Sequence, residues 1–119
     1  MNLILIAFGG AIGAVCRYAL SSFFNRFYFG GVVLGTLFVN VIGCILIGLF
    51  MSMSKKYGLT NEIRLLFVTG FLGALTTFST FSLESINLLQ TNFTAFVLNV
   101  VLNVVLCLVA TYFMLNIFK

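Results

Sequence analysis

The chain has 119 residues, 62% of them hydrophobic and only 7% charged, with a net charge of +4. A soluble domain carries about 25% charged residues, so six basic and two acidic side chains cannot cover a globular surface, and the solvent is lipid. His is absent, which removes the usual proton shuttle and the commonest metal ligand. With no nucleophile–base pair either, an enzyme is excluded. In a soluble protein the basic balance would point to nucleic acid. Here the cations flank apolar spans and read as interfacial anchors.

A bilayer-spanning helix needs about 20 apolar residues. Four segments qualify, about 3–24, 31–54, 63–89 and 93–118, forming one transmembrane domain over residues 1–119. The first reads as a span rather than a cleaved leader, because it lacks a basic n-region, contains Arg17 and precedes no soluble domain. Its Gly9, Gly10, Gly13 and Ala14 suit close helix packing in lipid. Arg17 lies deep enough to be costly. It reads either as a snorkelling anchor or structural ion-pair partner, or as a group at an anion vestibule. A short aromatic loop with Arg26 follows. The second span carries Gly35, Gly43 and Gly48, with Asn40 near its middle and Thr36 and Cys44 four residues either side. Asn40 offers two N–H donors, to a neighbouring helix or to a ligand.

The most polar connection, residues 55–62, leads to the third span. Six of the ten residues from Thr76 to Ser85 carry hydroxyls, which compete for backbone hydrogen bonds, and Gly70 and Gly73 weaken the helix further. A break near residues 74–79 is expected, and lipid tolerates one only inside protein or beside a water-filled cavity. Freed carbonyls there suit a cation and freed N–H groups an anion. Phe78 and Phe81 share a face and could turn electropositive ring edges toward an anion. Glu84 is the only acid inside a span. It could bind a cationic drug, carry a proton, pair with Arg17 or organise the hydroxyls. In the fourth span Asn99, Asn103, Cys107 and Thr111 recur every four residues, one drifting stripe that serves either as helix–helix glue or as a lined pathway. Cys16, Cys44 and Cys107 show no metal-ligand or redox spacing and read as small buried hydrophobes. With both termini and the second loop on one side, that side holds Lys55, Lys56, Arg64 and Lys119 against Arg26 opposite. The bias modestly favours cytoplasmic termini.

Three stretches resemble the fluoride channels called Fluc or CrcB: Gly9-Gly-Ala-Ile-Gly-Ala-Val-Cys-Arg-Tyr18, Gly35-Thr-Leu-Phe-Val-Asn-Val-Ile-Gly43 and Gly70-Phe-Leu-Gly-Ala-Leu-Thr-Thr-Phe-Ser-Thr-Phe-Ser82. The resemblance covers the whole chain. It implies an all-α, antiparallel dual-topology dimer with two pores in a prokaryotic cytoplasmic membrane, giving passive fluoride efflux. Phe78 and Phe81 would then face fluoride and Asn40 would donate to it. Ser79, Thr80, Glu84, Cys107 and Thr111 would belong to the polar track, and Arg17 to the vestibule. The carbonyls of Gly73 and Thr76 from each subunit would hold a structural sodium ion. The chain departs from the family pattern at Cys107, where a Ser is usual and the thiol donates more weakly. The charge bias leaves room for a heterodimer of oppositely inserted chains. Two other classes are a proton-coupled small multidrug exporter, centred on a first-helix Glu that this chain lacks, and a non-transporting assembly subunit.

Overall fold

The computed structural model describes residues 1–119. Four helical stretches are long and apolar enough to cross a membrane: Asn2–Phe24, Gly35–Tyr57, Asn61–Thr91 and Phe93–Leu115. Helix α1 (Asn2–Phe24) has 23 residues, about 35 Å at 1.5 Å per residue, enough for a hydrocarbon core of about 30 Å. Most of its apolar side chains are exposed, and its buried residues are Gly9 and Gly13.

Those two glycines explain how α1 docks. A Cβ on Gly9 would strike the carbonyl oxygen of Leu66, and one on Gly13 that of Phe71. Gly70 on the third span returns the contact, since a Cβ there would lie 2.8 Å from the carbonyl of Ile6. The two helices thus meet backbone to backbone, a contact that lipid-embedded helices reach only through small residues.

The connection after α1 is a tight ribbon. Strands β1 (Tyr28–Phe29) and β2 (Val32–Val33) pair antiparallel, with Tyr28 opposite Val33 and Phe29 opposite Val32. Gly30 (φ +59°) and Gly31 (φ +84°) make the turn; two successive positive φ angles are what a two-residue hairpin of this hand requires. The second helix therefore begins at Gly35, not at residue 31. The ribbon consumes residues 31–33, and β2 needs extended rather than helical backbone.

Helix α2 (Gly35–Tyr57) buries Thr36, Leu37, Val39, Gly43, Gly48 and Ser52 among others. It continues past residue 54 to Tyr57 and stops at Gly58, which is left-handed (φ +69°) and donates its N–H to the Ser54 carbonyl. The third span starts earlier than residue 63, because Thr60 caps it by accepting from the Ile63 amide at 3.4 Å. It comprises α3 (Asn61–Arg64), a π-helical stretch Leu65–Leu72, α4 (Gly73–Leu75) and α5 (Phe78–Thr91). Between the last two, Thr76 (ψ 157°) and Thr77 (φ −148°, ψ 118°) are extended. Asn92 caps the fourth span, α6 (Phe93–Leu115), by accepting from the Ala95 amide at 3.1 Å. This helix ends at Leu115 rather than residue 118, with looser turns to the end.

The chain forms a slab of 47 × 33 × 20 Å, and only 19 of its residues are buried. Its outer faces carry exposed Leu, Ile, Val and Phe along every span, which suits lipid. The interior is polar by comparison, with Thr36, Ser52, Thr77, Ser85, Asn99 and Asn103 all buried.

The glycine contacts make a test by contrast. Gly13→Ala should lower the thermal midpoint of the detergent-purified protein, with an overpacking cost of about 1–3 kcal/mol. Gly10→Ala should leave it nearly unchanged, because the nearest atom to a Cβ there is the Gly70 carbonyl at 3.9 Å. Equal midpoints for the two variants would refute backbone-to-backbone docking of α1.

Candidate functional site

The site is assembled around the two extended threonines. Leaving a helix inside the membrane orphans backbone groups, and each needs a partner. Asn40 on α2 supplies both for Thr77. Its Oδ1 accepts the Thr77 N–H at 2.8 Å, and its Nδ2 donates to the Thr77 carbonyl at 3.2 Å. A side-chain amide carries the same donor and acceptor as a peptide, so it pairs with the extended residue as a neighbouring strand would.

The second Nδ2 hydrogen of Asn40 goes to Oδ1 of Asn103 at 3.1 Å. Asn103 in turn donates to the carbonyl and Oδ1 of Asn99, at 3.0 and 3.1 Å. Asn99 donates to the Ser85 hydroxyl at 3.0 Å. One relay of amides therefore ties the second, third and fourth spans together, and no buried side-chain polar atom lacks a partner. Part of the fourth-span stripe serves as glue in this way. Of its two remaining members, Cys107 lines the groove described below, and Thr111, one turn further on, donates to the Cys44 carbonyl at 3.5 Å.

On the other side of the interruption Thr77 caps α5. Its Oγ1 accepts the Thr80 amide at 3.2 Å and lies 3.1 Å from the Thr80 hydroxyl and 3.2 Å from that of Ser79. These contacts redirect two amides. In an unbroken helix the Thr77 N–H would bond the Gly73 carbonyl and the Thr80 N–H the Thr76 carbonyl. Here they bond Asn40 and the Thr77 hydroxyl, so the Gly73 and Thr76 carbonyls each lose their regular helical donor.

An open groove of about 450 Å³ runs along this face. Asn40, Gly73, Thr76, Phe78, Phe81 and Cys107 all line it. The Phe78 and Phe81 rings are 5.5 Å apart and inclined at 56°. Phe81 is buried, whereas Phe78 is 77% exposed in the single chain. Ser79, Thr80, Glu84, Thr111 and Arg17 lie outside the groove wall. Glu84 borders a smaller cavity of about 180 Å³ with Asn87 and Asn99, beneath the β-ribbon. Its carboxylate accepts from the Thr36 hydroxyl at 2.7 Å, so Thr36 rather than Arg17 is its partner within the chain.

Two residues central to this arrangement escaped the sequence reading. Thr77 was one hydroxyl among six, although a Thr immediately before a helical segment is a standard cap signal. Ser85 had no signal of its own, because its partner lies on another helix.

Residues 4–115 match the family described as CrcB-like protein, Camphor Resistance (CrcB). A relative in Campylobacter jejuni, named fluoride-specific ion channel FluC, is 47% identical over 119 residues, covering 99% of this chain and 98% of that protein. Proteins of the same name are 45% identical in Campylobacter lari, over the same shares of each chain, and 46% identical in Shewanella baltica, over 93% of this chain and 90% of that one. Agreement over nearly the full length, together with four apolar spans, makes this chain a multi-pass membrane protein that belongs to the CrcB family.

Proposed function

We propose that the chain forms a fluoride-selective channel that lets fluoride leave the cell passively across the cytoplasmic membrane and so confers fluoride resistance. The observation that carries this reading is the Phe78–Phe81 pair on the groove wall, directly beside the interruption braced by Asn40. The name shared by its relatives points the same way.

Fluoride is small and hard, and a pore must replace its hydration shell without holding it tightly. Ring edges carry partial positive charge, and a pair of them offers weak contacts with no fixed cation. Asn40 joins by exchanging one intrachain acceptor, the Thr77 carbonyl or the Asn103 Oδ1, for the anion. Ser79, Thr80, Glu84, Cys107 and Thr111 continue the polar track, and Arg17 draws anions toward the vestibule. With no energy source in the chain, flux follows the gradient, outward when internal fluoride is high.

The active form is an antiparallel dual-topology dimer, which covers the exposed Phe78 and the apolar groove wall. A heterodimer with an oppositely inserted chain is the variant to test. The Gly73 and Thr76 carbonyls fit a structural sodium ion between subunits, since both have lost their helical donors and carbonyl oxygens suit a hard cation. Bound there, the ion would supply a fixed positive charge and nothing more.

Liposomes containing the purified protein should release fluoride quickly and chloride barely. No fluoride flux, or equal chloride flux, would sink the channel reading. Phe78→Ile and Phe81→Ile should each lower fluoride flux by about tenfold, the equivalent of about 1.4 kcal/mol in ring-edge contact. If both variants conduct normally as folded dimers, the aromatic assignment is wrong. Labelling a single cysteine placed in the 55–62 loop should report both membrane faces. Label on one face only would favour a heteromeric partner.

Sodium has its own test. Exchanging all Na⁺ for N-methylglucamine during purification should lower the thermal midpoint and shift the dimer toward single chains, and restoring Na⁺ should reverse both. A midpoint and oligomeric state insensitive to Na⁺ would remove sodium from the account.

A further inference from the structure

Two of the three cysteines, far apart in sequence, are brought face to face. Spans alternate in direction, so α2 and α6, the second and fourth, run parallel. Their register is pinned at two levels. At one, the Asn40 amide meets Asn103 at 3.1 Å. At the other, a Cβ on Gly48 would lie 2.6 Å from the Met114 Cβ and 3.0 Å from the Thr111 carbonyl. Between these levels, one helical turn beyond Asn40 and Asn103 on each helix, stand Cys44 and Cys107. The Thr111 hydroxyl, one turn further along α6, donates to the Cys44 carbonyl at 3.5 Å. Both thiols are free, partly accessible and on the wall of the same groove, each one turn beyond the paired Asn40 and Asn103. Cys16 lies on α1, outside that wall.

We infer that Cys44 and Cys107 form a two-thiol site for a soft, two-coordinate metal cation of the mercuric, silver or cuprous class, and that its occupation closes the groove. Thiolate sulfur selects soft metals, and two opposed sulfurs satisfy a linear ion without a third ligand. With mercuric ion the step is an exchange at sulfur. Two S–H bonds break, two S–Hg bonds form and two protons leave, with no change of oxidation state. The bound ion sits one turn from Asn40, in the wall that also holds Phe78 and Phe81. The mercuric bis-thiolate is neutral, because two protons leave as the divalent ion enters, so it would close the groove by its bulk. The metal site itself stands on the α2–α6 register, and only its effect on flux rests on the channel reading.

The test uses the full chain with Cys16→Ser, which leaves Cys44 and Cys107 as its only thiols. Mercuric chloride is titrated into the purified protein and the intact mass is measured under denaturing conditions. One mercury per chain, with the loss of two protons and no thiol left for maleimide, is the expected result. Two mercury adducts per chain, one adduct with a thiol still open to maleimide, or a mercury-linked pair of chains would each overturn the site. In that background Cys44→Ser and Cys107→Ser should each weaken mercuric binding by about 100-fold or more, the low end of what a second tethered ligand adds. Undiminished binding in either would also overturn it. In liposomes, mercuric ion should abolish fluoride flux through the Cys16→Ser protein. It should not change the flux of either double variant relative to that variant's own metal-free rate. Bridging with undiminished flux would overturn the closure while leaving the metal site standing. Absent flux before any metal is added counts against the channel reading, and the mass measurement still decides the site.

Discussion

A backbone that leaves its helix at membrane depth must find hydrogen-bond partners in protein, because hydrocarbon supplies none. At Thr77 that need is met by one side chain, Asn40, which answers both the amide and the carbonyl. Each unmet group would cost several kcal/mol in lipid, so the extended conformation of Thr77 depends on α2 being in place. Much else follows from this pairing. The Thr80 amide turns to the Thr77 hydroxyl, the Gly73 and Thr76 carbonyls are released from the helical pattern, and α5 restarts with Phe78 and Phe81 on the groove wall. Asn103 takes up the last Asn40 hydrogen and passes the connection through Asn99 to Ser85.

Packing serves the same end by a different means. Gly9 and Gly13 let α1 approach the π-helical part of the third span at backbone distance, and Gly43 admits the Thr76 side chain against α2. A Cβ at Gly43 would overlap the Thr76 methyl, so this glycine sets how close α2 comes to the interruption and keeps Asn40 within reach of Thr77. Small residues and polar residues are therefore two halves of one arrangement. Glycines bring the backbones together, and amides occupy the polar groups exposed where regular structure stops. Lipid gives helices little hydrophobic reason to associate, which is why so few large apolar residues are buried here.

The spans could be read from apolar length alone, because lipid imposes a thickness that composition must match. The start of α2 could not. Val32 and Val33 are as apolar as the helix that follows, and only the paired positive φ angles of Gly30 and Gly31 divert them into a ribbon. Asn40, Asn99 and Asn103 were visible as polar residues in an apolar setting, but apart from the Asn99–Asn103 pair their partners lie 14 to 63 residues away, and no local pattern encodes that. Glu84 shows the limit clearly. Its rarity marked it, and its pairing with Thr36 needed the fold. The cysteines show the converse. Spacing along the chain argued against any joint chemistry, and the parallel register of α2 and α6 puts two of them opposite one another.

The bracing of Thr77 by a different helix also dictates an order of events during biogenesis. Until α2 docks against the third span, Thr77 has no amide from α2 at hand, and the span's own backbone is the nearest source of donors and acceptors. Undocked in lipid, the span would satisfy those groups best as an uninterrupted helix. The opening at Thr76 and Thr77 belongs to a later stage, when α2 docks and Asn40 replaces the helical bonds, and α6, made last, locks the exchange by receiving the remaining Asn40 hydrogen on Asn103. The interruption is thus written into the sequence but depends on the docking of another span for its hydrogen bonds.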